Sequence, residues 1–169
     1  MKPLTLLTPP KQFPLLLVVL LGCSLKVHSR TADTAWTAVG GDKGNSRYAA
    51  LDQINRTNVA LLEIAWTYHT QDSGTGTTIE CTPVVVGGTM FITTVRCRLV
   101  ALDAKTGCER WRFDPYQNIK IDQPRASGGV NRGVAFWSDG KKERVLLGAP
   151  DGRLISLDAG TGLPDIIPC

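Results

Sequence analysis

Past residue 30 the chain alternates apolar and polar residues in short runs broken by glycine, a period of two that fits half-buried strands. Ala60 to His69, Pro83 to Val86, Met90 to Thr94, Arg98 to Asp103, Arg132 to Trp137, Arg144 to Gly148 and Arg153 to Asp158 each predict a short strand. Turn chemistry separates them: Gly87-Gly88, Asp103 to Gly107, Asp139-Gly140, Asp151-Gly152 and Asp158 to Gly162. No run has the helical spacing of apolar residues, so the pattern predicts an all-β chain. Tyr116 to Val130 is polar, contains Gly128-Gly129 and shows no strand pattern. It predicts a long loop, and long loops inside compact domains usually carry function.

The pattern repeats. Arg98-Leu99-Val100-Ala101-Leu102-Asp103-Ala104-Lys105-Thr106-Gly107 returns 55 residues later as Arg153-Leu154-Ile155-Ser156-Leu157-Asp158-Ala159-Gly160-Thr161-Gly162, with eight of ten positions identical or closely matched. The repeated Leu-Asp-Ala-x-Thr-Gly has a mechanical reading. An apolar strand ends, the Asp carboxylate accepts from backbone N–H groups of the turn, and the Gly supplies a positive φ before the next strand. A period of this length, with about four strands per unit, marks the blade of a β-propeller.

The amino terminus has a different character. Lys2 and Lys11 precede an apolar stretch from Phe13 to Leu21, too short for a membrane span of about 20 residues, and small or polar residues follow. Residues 1–29 therefore read as a secretory signal peptide. Two processing routes remain open: cleavage after Val27-His28-Ser29, or cleavage before Cys23 in a lipobox-like Leu20-Leu21-Gly22-Cys23 that would leave a lipid-anchored cysteine. Either places residues 30–169 in the periplasm or cell envelope, and the second alone would tie them to a membrane, through the lipid anchor.

Composition narrows the function classes. The chain is 43% hydrophobic, 20% charged and 7% aromatic, which excludes a disordered acidic tail, a collagen-like repeat and a long coiled coil. Its net charge is +4, but the leader holds Lys2, Lys11 and Lys26 and no acid, so the remainder carries about +1 and no basic stripe for nucleic acid. Cys81, Cys97, Cys108 and Cys169 follow the leader without a C-x-x-C or a Cys/His spacing suited to zinc, and their pairing is open. Gly74-Thr75-Gly76 lacks the strand-to-helix context of a dinucleotide turn, and Gly40 to Ser46 lacks the order of a phosphate loop. His69 is the one histidine outside the leader, with no nucleophile elbow to serve. No metal-ligand set is read from the residues.

The segments Trp36-Thr37-Ala38-Val39-Gly40-Gly41-Asp42, Arg47-Tyr48, Leu51 to Val59, Leu62 and Ala65-Trp66 together resemble the amino-terminal signature of the quinoprotein dehydrogenases. Ala101 to Gly107 followed by Trp111 is similar to that family's tryptophan-docking motif, in which the Trp of one blade packs on the next. Glu80-Cys81-Thr82-Pro83 and Asn131-Arg132-Gly133-Val134-Ala135-Phe136-Trp137 extend the likeness, which runs from about Ala35 to Gly162. The resemblance implies an eight-bladed propeller that binds pyrroloquinoline quinone (PQQ) and calcium, oxidises an alcohol, polyol or sugar, and passes electrons to a quinone or cytochrome acceptor. It implies that Arg132 contacts the quinone and that Glu80 lies among the polar groups around it. The family's catalytic Asp and most calcium ligands belong to later blades, so no catalytic or metal residue is assigned here.

The likeness leans toward the glucose, quinate and glycerol type. Methanol-oxidising members carry adjacent cysteines shortly before Asn-Arg-Gly, where this chain has Ala126-Ser127. At about 50 residues per blade, two to three blades fit after the leader, so the chain is expected to be a partial propeller, the amino-terminal part of a longer enzyme, and inactive alone. The alternative function is a non-catalytic envelope lipoprotein with the same blade repeat, which serves as a scaffold for outer-membrane assembly.

Overall fold

The computed structural model describes residues 35–72, 74–117 and 130–165. Outside them lie the expected signal peptide, Cys23, Cys169 and most of the predicted long loop, including Ala126-Ser127. The described chain forms two antiparallel sheets and no α-helix. The first has the order β1-β2-β3-β4, from Val84–Val86 (β1), Thr89–Thr93 (β2), Leu99–Asp103 (β3) and Glu109–Phe113 (β4). The second has the order β5-β6-β7, from Ala135–Ser138 (β5), Glu143–Gly148 (β6) and Leu154–Asp158 (β7). Consecutive meanders packed side by side are the blades of a partial propeller.

Gly87-Gly88 closes β1 onto β2 with both residues at positive φ (+54° and +73°), the two-residue hairpin whose twist matches that of the strands. The two copies of the repeat then build the same turn. Asp103 Oδ1 accepts from Lys105 N, Thr106 N and Thr106 Oγ1 at 3.0, 2.9 and 3.0 Å. Asp158 Oδ1 accepts from Gly160 N, Thr161 N and Thr161 Oγ1 at 3.1, 2.8 and 2.8 Å. Gly107 and Gly162 close them at φ +72° and +71°. Beyond the turns, Asp103 N donates to Cys108 O at 2.8 Å and Asp158 N to Leu163 O at 2.9 Å. An isolated bridge between Leu157 and Pro164 therefore starts on β7 the same outer pairing that β4 makes on β3.

Each turn glycine also seats a tryptophan. A Cβ on Gly107 would lie 2.5 Å from the Trp66 ring, and one on Gly162 would lie 2.5 Å from that of Trp111. Trp111 Nε1 donates to Ala159 O at 3.1 Å, so β4 of one sheet docks on the turn of the next, as the tryptophan-docking resemblance implies. Beneath this contact one apolar cluster joins the sheets: Val84, Phe91, Leu99 and Ala101 from the first meet Val145, Leu147 and Leu157 from the second. The Phe91 ring lies 5.9 Å from Trp111 and 6.5 Å from Phe136. β3 is buried along Leu99 to Leu102, as a central strand covered on both faces must be.

Three expectations need correction. Ala60 to His69 is not a ladder strand: Val59–Leu61 is a single 3-10 turn, and residues 62–70 lie outside both sheets. Alternation marks which residues face inward, and Trp66 and Tyr68 do so, but it cannot supply a strand partner. Glu109–Phe113 is a strand that apolar alternation does not predict, because its Glu-Arg-Trp-Arg-Phe is dominated by charge. Arg132 to Val134 precedes the strand, which begins at Ala135, because this stretch is held against Thr82 and not in the ladder.

Candidate functional site

The seam where the first sheet meets the second is lined by residues 80–82, which lead into β1, and residues 131–133, which lead toward β5. Thr82 N donates to Arg132 O at 3.1 Å, stitching the two stretches. Gly133 permits the approach: its φ is +128°, and a Cβ there would stand 2.9 Å from Thr82 O. No other side chain fits that space and backbone angle together.

At this seam the structure brings together Glu80 and Arg132, both singled out from the sequence. Arg132 Nη2 lies 3.1 Å from Glu80 Oε2, with the Arg132 side chain 83% exposed and that of Glu80 39% exposed. A pair this open to water contributes little to folding. Its chemistry is a guanidinium held beside a carboxylate, with N–H donors left over for another anion. Such a group suits a planar anion with carboxylate oxygens.

Asn131, the first residue of the Asn-Arg-Gly motif, anchors the neighbouring backbone. Its Oδ1 accepts from Gly133 N at 2.8 Å and from Thr93 Oγ1 at 3.0 Å, and its Nδ2 donates to Gly148 O at 2.9 Å. Thr93 N in turn meets Cys81 Sγ at 3.1 Å. Buried Cys97 completes this layer, with its thiol pushed up to about 11 by burial, eased by a hydrogen bond with Asn131. Asp72, also buried, accepts from Thr94 Oγ1 and holds the turn between β2 and β3. The contacts of Thr93 with Asn131 and Cys81, of Asn131 with Gly148 and of Thr94 with Asp72 join residues far apart in sequence, with no local signal to announce them.

Cys81, Cys97 and Cys108 are unpaired thiols. Among the described residues no group of three or more His, Cys, Asp or Glu side chains converges to hold a metal, and no helix is long and apolar enough to cross a membrane.

Residues 36–165 match the family model described as the β-propeller domain of glucose/ethanol/alcohol dehydrogenases that use PQQ. The chain is 42% identical over 138 residues to a quinohemoprotein alcohol dehydrogenase of Comamonas testosteroni, covering 79% of this chain and 18% of that protein. It is 35% identical over 154 residues to quinoprotein glucose dehydrogenase A of Acinetobacter calcoaceticus, covering 78% of this chain and 19% of the relative. The crystal structure of the Comamonas testosteroni enzyme superimposes with a TM-score of 0.65 at 40% identity, over 78% of this chain and 19% of that one. A europium-containing methanol dehydrogenase gives a TM-score of 0.63 at 33% identity, over 77% of this chain and 22% of that one. The chain thus spans about a fifth of the length of these relatives. Identity is higher to the alcohol dehydrogenase than to the glucose enzyme.

Proposed function

Since the chain belongs to the PQQ glucose/ethanol/alcohol dehydrogenase β-propeller family, we propose that it forms the first blades of a dehydrogenase that oxidises an alcohol, polyol or sugar and passes electrons to a quinone or cytochrome acceptor. Residues 1–29 direct it to the periplasm or cell envelope, residues 30–169 contribute to the propeller, and calcium accompanies the quinone. The observation that carries this reading is the Glu80–Arg132 pair at the seam between two blades, within the stretch that matches the family.

The residues present fit the cofactor. PQQ bears three carboxylates and adjacent carbonyls, and Arg132 offers free guanidinium N–H donors at an exposed position. When bound, the quinone accepts the two electrons removed from the alcohol carbon. This chain's share of the work is binding and orientation: Arg132 would pair with an anionic oxygen of the quinone, and Glu80 pairs with the guanidinium.

The reading is tested with the longer enzyme to which these blades belong, purified as apoprotein and supplied with PQQ and calcium. Dye reduction with a panel of primary alcohols, polyols and aldoses is expected only when quinone is present, and chelation of calcium is expected to abolish it. Absence of quinone-dependent turnover with every member of the panel would overturn it.

A further inference from the structure

The Arg132 side chain is 83% exposed, and among the described residues its ion pair with Glu80 is the polar contact that holds it. Where the guanidinium stands must therefore be set by its backbone. That backbone is held on both sides: Arg132 O accepts from Thr82 N, and Gly133 N donates to Asn131 Oδ1 at 2.8 Å. The second of these contacts belongs to a carboxamide that reaches three places at once. Asn131 takes Thr93 Oγ1 from the end of β2, gives Nδ2–H to Gly148 O at the end of β6, and closes the turn onto Gly133. A carboxamide has one acceptor oxygen and two N–H donors, and here the oxygen is doubly occupied while one donor crosses to the other sheet. The two blades are thereby tied to the residue adjacent to the guanidinium, and the approach to Thr82 is close enough that position 133 must be glycine.

We infer that Asn131 is a positioning residue of the quinone site, whose carboxamide ties both blades to the Arg132 backbone so that the guanidinium is presented beside Glu80. This inference rests on the reading of Arg132 as a quinone-binding group. Asn131 does not touch the ligand; it acts through Arg132.

The test is a quinone titration of the whole apoprotein, followed by quenching of intrinsic fluorescence, for wild type, Asn131→Ala, Asn131→Asp, Arg132→Ala and the double variant Asn131→Ala/Arg132→Ala. Loss of the clamp should weaken quinone binding about five- to tenfold in Asn131→Ala, the scale of a neutral hydrogen bond. The double variant should bind no more weakly than Arg132→Ala alone, because a residue that acts through Arg132 has nothing left to position. Asn131→Asp keeps the acceptor for Gly133 N and loses the donor to Gly148 O. It should fall between wild type and Asn131→Ala, and it carries the test if the alanine variant does not fold. Hydrogen exchange at the Gly133 amide should accelerate in Asn131→Ala and stay near wild type in Arg132→Ala. If Arg132→Ala binds quinone like wild type, the reading of the site is overturned, and this inference with it. If Arg132→Ala binds weakly while Asn131→Ala binds like wild type, or if the two losses multiply in the double variant, the positioning role alone is overturned.

Discussion

Replacing Gly162 by alanine strikes the contact that joins the two blades. A Cβ at this position would stand 2.5 Å from Trp111 Cε3 and 2.6 Å from Cδ2, while ordinary carbon contacts lie near 3.5–4.0 Å. The ring would have to move by about 1 Å or more, yet its Nε1–H is bonded to Ala159 O at 3.1 Å within the same turn. Overpacking of this kind costs about 1–3 kcal/mol. A left-handed backbone at φ +71° adds about 1–2 kcal/mol for any residue with a Cβ. Gly162→Ala should therefore lose about 2–5 kcal/mol. Gly88→Ala is the matched control, because Gly88 has φ +73° and no atom within 4 Å of the added Cβ, so it bears the backbone cost alone. Urea denaturation of the whole protein, followed by tryptophan fluorescence, measures both. Equal losses for Gly162→Ala and Gly88→Ala would refute the docking argument.

Trp111→Phe should cost about 1 kcal/mol in the same assay, since it leaves Ala159 O without its donor while keeping most of the ring. Iodoacetamide applied to native protein at pH 8 should label exposed Cys108 and spare buried Cys97, whose thiol is pushed up to about 11; mass spectrometry of the peptides checks this. Because burial favours the neutral Cys97 thiol, the stability it contributes is whole below the unfolded value of 9.0 and is lost as pH rises toward about 11, so Cys97→Ala should flatten the alkaline limb of stability. Asp103 moves the other way: Arg110 and the Thr106 hydroxyl and amide hold its carboxyl down at about 2. Its contribution is whole above 3.8 and fades as pH falls through about 2, so Asp103→Asn should flatten the acid limb.

What could be read from the sequence was local. The Asp103 and Asp158 turns were legible because an Asp carboxylate and a glycine of positive φ act within five residues, and the strands β1 to β3 and β6 to β7 because their β-branched and aliphatic residues alternate. The charged strand β4 was missed because its strandness comes from pairing with β3 and its value from a single inward tryptophan. Ala60 to His69 was overread for the converse reason, alternation without a ladder partner. Glu80 and Arg132 were identified through resemblance, and their meeting at 3.1 Å is a contact across 52 residues that no window could show. Asn131 has no signal of its own, because an asparagine two residues before a glycine usually marks only a turn. Its partners at positions 93 and 148 become visible only when the two sheets are side by side.

Arg132, paired with Glu80 at the seam between blades, is proposed to hold a carboxylate of the quinone. Titration of the whole apoprotein with PQQ, wild type against Arg132→Ala, tests it most directly. Saturable binding by wild type and a dissociation constant about ten- to a hundredfold weaker in Arg132→Ala are expected for a charge-assisted pair, with a smaller loss in Glu80→Gln. An unchanged dissociation constant in Arg132→Ala would place that guanidinium outside the pocket and contradict the account.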